Sequence, residues 1–216
     1  MKNYILIFVA FLCCFKVSAQ DVTGHWRGVL ELAPQYRIVL GLRITNDEQG
    51  YQLFMLSPNQ NPKEMIPSQF KLDGNHLSFS DTALKASFSG TFDGEKLTGT
   101  FTQQRQHEVI LTRLSEQDMQ RLEHEQQWFG DLQISKNSVL PLVLNVAVVA
   151  GGYHVTVDSP KQESFGIPVN EFTLSDTQLR FSSSLINAAY SAVWAKDRWQ
   201  GTFVQGMAMP LDFKKN

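Results

Sequence analysis

Ile38-Val-Leu-Gly-Leu-Arg-Ile44 and, 102 positions later, Leu140-Pro-Leu-Val-Leu-Asn-Val146 decide how this chain reads. In both segments an apolar side chain occupies every second position. That period belongs to an extended strand with one face buried, because successive side chains of a strand point to opposite sides. The recurrence at one offset marks a tandem repeat. The same offset carries Trp26 onto Trp128, Gly28 onto Gly130, Leu30 onto Leu132 and Gly50 onto Gly152. Further along, Ser57-Pro58 and Gln60 meet Ser159-Pro160 and Gln162, and Phe79 meets Phe181. Gly99-Thr100-Phe101 and Gln103 meet Gly201-Thr202-Phe203 and Gln205. One slip interrupts the match, where Ile66-Pro67 answers Ile167-Pro168.

Working outward, the other runs alternate in the same way: Tyr51, Leu53 and Met55, and their counterparts Tyr153, Val155 and Val157. Turn chemistry separates them at Asp47-Glu-Gln-Gly50, Asp73-Gly74-Asn75, Asp93-Gly94 and Gly151-Gly152. About eight short strands per module are expected, in a meander closing into a small barrel or a tight sandwich. Closure would remove the unpaired edges that invite aggregation. The aromatics recur at the offset too, Phe88, Phe92 and Phe101 answering Tyr190, Trp194 and Phe203. On alternating strands they read first as core.

The ends bound the rest. Residues 1–19 pair a basic start with an apolar run from Ile5 to Phe15 and small residues before Gln20, the pattern of a secretory signal cut after Ala19. The run is too short to span a bilayer, and no later stretch reaches that length, so no transmembrane segment is expected after cleavage. A periplasmic or secreted location follows. Cys13 and Cys14 both lie in this segment, leaving the mature chain without a thiol for a disulfide, a metal or a nucleophile. Without Lys2 and Lys16 it carries 17 basic residues against 21 acidic ones and no basic block, which argues against nucleic acid as a partner. The expected division is therefore 1–19 signal, 20–114 first module, 115–127 helical connector and 128–216 second module. Ser115 is a good N-cap for the connector, with Asp118 three residues on and Leu114 able to staple onto Met119.

The succession Trp128-Phe-Gly130, Asp158-Ser159-Pro160-Lys-Gln162, Gly166-Ile167-Pro168-Val169, Gly201-Thr202-Phe203-Val-Gln205-Gly206 and Pro210-Leu211 resembles a small all-β domain of secreted bacterial proteins. That domain often precedes an α/β-hydrolase of the serine peptidase or esterase type. The first copy departs from it at Leu56, Glu64-Met65 and Gln104. Gly24-His25-Trp26 with Arg113 is similar to the lipocalin pairing, in which a strand-one Trp lies under an Arg of the last strand and plugs one end. The resemblance implies two lipocalin-like barrels with Trp26, Arg113 and Trp128 as plugs. In the second copy Lys214 or Lys215 stands for the Arg.

Catalytic patterns do not emerge. No Gly-x-Ser-x-Gly elbow occurs, and no strand-turn-helix exists to carry one. His25, His76, His107, His124 and His154 neither pair at metal-ligand spacing nor recur at the offset, so no metal or cofactor is expected. Acidic neighbours such as Asp47-Glu48 fall in turns rather than across a cleft. The candidate contact residues are Ser57, Pro58, Gln60 and Gln103, with Ser159, Pro160, Gln162 and Gln205. The Ser-Pro-x-Gln loops join adjacent strands, and such loops at a barrel mouth are where ligands usually touch. The expectation is a non-catalytic binding or accessory protein holding a small apolar or amphipathic ligand in a barrel. The competing expectation is an interaction module serving a separate envelope hydrolase, with filled barrels and an exposed apolar patch.

Overall fold

The computed structural model describes residues 21–34 and 36–215. The signal expected over 1–19, with Cys13 and Cys14, lies outside the described residues. The rest is almost wholly β. Module 1 holds β1 (Gly24–Ala33), β2 (Tyr36–Asp47), β3 (Gly50–Ser57), β4 (Asn61–Met65), β5 (Gln69–Asp73), β6 (His76–Asp81), β7 (Ala86–Phe92), β8 (Lys96–Gln103) and β9 (Arg105–Arg113). Helix α1 (Glu116–Arg121) and a single 3-10 turn (Leu122–His124) follow. Module 2 repeats the order: β10 (Gln126–Ser135), β11 (Ser138–Val149), β12 (Gly152–Ser159), β13 (Ser164–Pro168), β14 (Glu171–Leu174), β15 (Gln178–Ser183), β16 (Ala188–Ala195), β17 (Arg198–Gln205) and β18 (Met207–Lys214). Among the described residues no helix is long and apolar enough to cross a membrane.

Each module is one curled antiparallel sheet of nine strands, an all-β, barrel-like unit. Neighbours in sequence pair, except β4 with β5 and β13 with β14, and β1 also pairs β9, as β10 pairs β18. That first-to-last pairing bends the meander round on itself. The glycines sit at the tight point: a Cβ on Gly28 would lie 2.3 Å from the Ile110 carbonyl oxygen. The strand count exceeds the expected eight, and the ring of hydrogen bonds is not complete. β4 and β5 are the two edges of the sheet, separated by Ile66, Pro67 and Ser68. Pro67 lacks an N–H to pair, and the edge strand β4 carries Pro62, Lys63 and Glu64, which blunt it against foreign strands. The slip at Ile66-Pro67 disappears in space. Met65 pairs with Met55 as Ile167 pairs with Val157, an offset of 102, and the one-residue shift falls instead at the start of the strand, where Asn61 pairs with Ser57 and Ser164 with Ser159.

The interiors are occupied by side chains. In module 1 Trp26 meets Phe92 edge-on with ring centroids 5.2 Å apart, and Phe79 stacks on Phe88 at 5.6 Å. Leu30, Leu42, Leu77 and Leu111 pack round them. In module 2 Trp128 packs against both Trp194 and Trp199, and Phe181, Tyr190 and Phe213 form the far half. Each large apolar side chain so buried contributes about 1.5–3 kcal/mol relative to exposure. Tyr190, where module 1 has Phe88, brings a hydroxyl inside. It donates toward the Leu211 carbonyl at 3.0 Å and lies 3.3 Å from that of Trp199. Burial, and next the charge of Asp212, push its pKa well above the usual phenol range.

The connector is shorter than expected, since β10 already begins at Gln126. Its capping box forms: Ser115 Oγ accepts from the Asp118 N–H, and the Asp118 carboxylate accepts from the Ser115 N–H at 3.1 Å. Asp118 also accepts from Arg121 at 2.6 Å and from the Gly151 N–H at 3.0 Å, tying α1 to the β11–β12 turn. Burial alone would raise this carboxyl, but these hydrogen bonds outweigh it and its pKa is lowered.

Candidate functional site

The two modules meet through unlike parts of their outer sheet faces. β2 lies against β13, and β1 against β11. From module 1 the outward side chains Arg27, Val39 and Leu56 are buried although they point away from their own barrel. Arg27 is 2% exposed and pairs with Glu125, just ahead of β10, at 3.5 Å. The other Glu125 oxygen accepts from the Val148 N–H at 2.8 Å. Burial lowers the Arg27 pKa, and the Glu125 charge opposes that shift.

From module 2 the buried face is a polar network. Gln127 Nε2 donates to Asn145 Oδ1 at 2.7 Å, and Asn145 Nδ2 donates to Asp158 Oδ2 at 2.9 Å. Asp158 Oδ1 accepts from the Gly166 N–H at 2.7 Å. Gly166 holds φ +69°, and the Tyr36 ring stands 3.0 Å from where its Cβ would be, so the backbone approach demands glycine. His154, on the same face, has its pKa lowered by burial and by the nearby Arg37 charge.

The Ser-Pro-x-Gln loops lie at the barrel ends opposite the Trp plugs, with the β8–β9 and β17–β18 turns that carry Gln103 and Gln205. The topology thus brings the predicted residues to one end of each module. Most of their side chains are engaged locally, while Ser57 Oγ has no hydrogen-bond partner among the described residues and Pro160 stands exposed. Gln103 Nε2 donates to the Leu84 carbonyl at 3.0 Å, and Gln205 Nε2 to that of Ile186 at 2.8 Å, each bracing a β-hairpin loop. Gln60 donates to the Tyr36 hydroxyl, and Ser159 Oγ to Gln162 Oε1 at 2.8 Å. Ser57 Oγ is buried, and Pro58 is buried beside it.

The residue at x explains the loop better. Where β3 leaves β2, the open edge is capped by Asn59: its Oδ1 accepts from the Val39 N–H at 2.8 Å and its Nδ2 donates to the Arg37 carbonyl at 3.2 Å. In module 2 the residue matching Val39 is Pro141, which has no N–H to cap, and Lys161 reaches the Val139 carbonyl at 3.4 Å. Sequence reasoning passed over Asn59. The signal was a polar residue held between two retained ones in both copies.

The plug forms as a close pair in module 1. Arg113 stands 4.5 Å over the Trp26 ring and donates to the Thr23 and Asp21 carbonyls, while Trp26 Nε1 donates to the Val22 carbonyl at 3.0 Å. In module 2 the ammonium over Trp128 is that of Lys215, at 5.4 Å, and Trp128 Nε1 has no partner among the described residues.

Three surface features remain. A cleft of about 280 Å³ opens between the modules, with Asn59 and Gln60 on one wall and Thr156, Asp158 and Phe165 on the other. A hollow of about 370 Å³ lies at the open seam of module 1, between Phe54, Ile66 and Phe70. A groove of about 640 Å³ runs over the outer face of β10, β11 and β18, floored by Gly130, Leu142 and Leu211. Phe129, Pro141, Val143, Pro160 and Pro210 form its apolar walls, and Asp131, Asp212, Arg198 and Lys214 its charged rim. Of these, Pro160 was a candidate contact residue from the sequence; the other walls escaped sequence reasoning because they stand on the outward phase of strands whose inward phase carried the signal. The histidines are dispersed. His76 meets Ser89 at 3.1 Å on an exposed strand face, and His124 meets Glu123 on the connector.

Compared with known protein families, curated proteins and solved structures, the chain matches none.

Proposed function

We propose that this chain is a non-catalytic accessory protein, periplasmic or secreted, that acts by protein contact through the outer face of module 2. The observation that carries the reading is the pairing of filled interiors with an apolar groove outside. The aromatic clusters around Trp26 and Trp128 occupy the space an internal ligand would need, so such a ligand would have to displace packed rings. Five apolar side chains with a mixed-charge rim have instead the composition of a contact surface. Kinship with lipocalin-like accessory modules belongs to this proposal and is supported by the Trp26–Arg113 pair. The resemblance to domains that precede hydrolases makes a separate envelope hydrolase the alternative occupant.

Native mass spectrometry of the protein purified gently from its own envelope tests the reading. Masses equal to the bare chain and to its protein complexes are expected. A small-molecule adduct of a few hundred daltons that survives desalting and leaves on denaturation would overturn it.

A further inference from the structure

The two modules do not meet through matching surfaces. Module 1 contributes Arg27, Val39, Gly41 and the loop of Asn59, on the outer side of β1 and β2. Module 2 contributes Gln127, Asn145, Thr156 and Gly166, on the outer side of β10 to β13. Carried across by the repeat offset, the module 1 face becomes Phe129, Pro141, Val143 and the loop of Pro160. Those residues line the open groove. Carried back, the module 2 face becomes His25, Arg43, Phe54 and Glu64, beside the seam hollow. A head-to-tail contact between two like modules therefore leaves both complementary halves uncovered, one at each end of the chain.

From this geometry we infer that the groove of module 2 receives the β2–β4 face of module 1 from a second copy of this chain. Because the contact is heterologous, it propagates into a string rather than closing a two-fold dimer. It rests on the reading of the groove as a contact surface and names its occupant. The substitutions at the two free halves are matched. Arg27 faces Glu125 inside the chain, and at the corresponding junction between copies Phe129 faces Thr23, so both charges are gone together and neither is left unpaired. The free module 1 face is also ready-made. Arg43 lies 3.9 Å over the Phe54 ring and holds Glu64 in a two-pronged pair, which presents a flat, internally neutralised surface to the apolar walls. The rim carboxylates Asp131 and Asp212 suit the Arg43 end of that ion pair.

Sedimentation velocity on residues 20–216 tests this over a hundredfold range of protein concentration. The wild-type average mass is expected to rise with concentration. Val143→Arg in the groove, and Phe54→Glu on the other face, should each hold the chain at monomer mass. Mixed, these two variants retain one intact half each, so the mass should rise to twice the monomer and stop. The exposed substitutions Asp131→Arg and Glu64→Arg serve as second variants should either first one misfold by circular dichroism. A wild-type chain that stays monomeric throughout overturns the inference, as does a mixture that fails to pair. If that monomer still co-purifies with an envelope protein, and Val143→Arg abolishes that, the occupant is a different chain while the contact-surface reading stands.

Discussion

Replacing Glu125 by alanine isolates the bond between the modules. The Arg27 guanidinium is 2% exposed, and Glu125 is its partner at 3.5 Å. At an effective dielectric of about 20, two unit charges at that distance attract by about 5 kcal/mol, most of it offset by the desolvation both groups suffer on burial. Removing the carboxylate leaves the desolvation of Arg27 without its compensation and orphans the Val148 N–H. Losing one member of a buried pair costs about 3–5 kcal/mol, and that is the expected loss for Glu125→Ala. Arg27→Met with Glu125→Gln removes both charges and preserves a hydrogen-bonding side chain for Val148. The double variant should therefore recover to within about 2 kcal/mol of wild type, because a buried pair and its apolar replacement are often nearly equal. Urea unfolding followed by tryptophan fluorescence and far-ultraviolet circular dichroism reads Glu125→Ala and the cycle of wild type, Arg27→Met alone, Glu125→Gln alone and the two combined. The wild-type pair should also resist 0.5 M salt, since buried charges are poorly screened. A loss below about 1 kcal/mol for Glu125→Ala would refute the reasoning. So would a double variant as damaged as the two single ones added together.

Gly166→Ala should cost about 1–3 kcal/mol by urea unfolding, because φ is +69° and the new Cβ meets the Tyr36 ring; a neutral result would mean the modules part easily there. For Asp118 the folded pKa lies below the unfolded value, so its stabilisation is present above about pH 4 and is lost as pH falls through the folded value. The urea midpoint of wild type should accordingly fall more steeply on acidification than that of Asp118→Asn, and parallel curves would contradict this. Arg113→Ala loses a cation–π contact and two carbonyl partners and should cost about 1–3 kcal/mol by thermal or urea unfolding. Lys215→Ala, with its ammonium 5.4 Å from Trp128 and exposed, should cost under about 1 kcal/mol, and an equal loss at both sites would show the two plugs to be equivalent. Tyr190→Phe should cost about 1 kcal/mol, since the Leu211 carbonyl loses its buried donor.

The all-β architecture, the two modules and the helical connector were legible from the chain. Each depends on short periodicity or on residue types whose chemistry acts over a few neighbours: alternation sets which phase of a strand turns inward, and the Ser115–Asp118 spacing ahead of a helix-forming run makes a capping box. The loops Ser57-Pro58-x-Gln60 and Ser159-Pro160-x-Gln162 were found by their recurrence. What they do was not, since capping an open strand edge by Asn59 depends on where β3 departs from β2. Gln103 and Gln205 likewise proved to brace hairpins, a partner choice set by loop conformation. The ninth strand and the unpaired seam between β4 and β5 came from the way a twisted meander closes at β1–β9 before its other ends meet. Val39 and Pro141 show the limit most plainly. They occupy the same place in two copies of one module, yet Val39 is 0% exposed and Pro141 is only half-buried in an open groove. A sequence can state which side chains leave the barrel interior, but whether an outward side chain meets water or another module depends on docking between distant surfaces, and only the tertiary structure decides that.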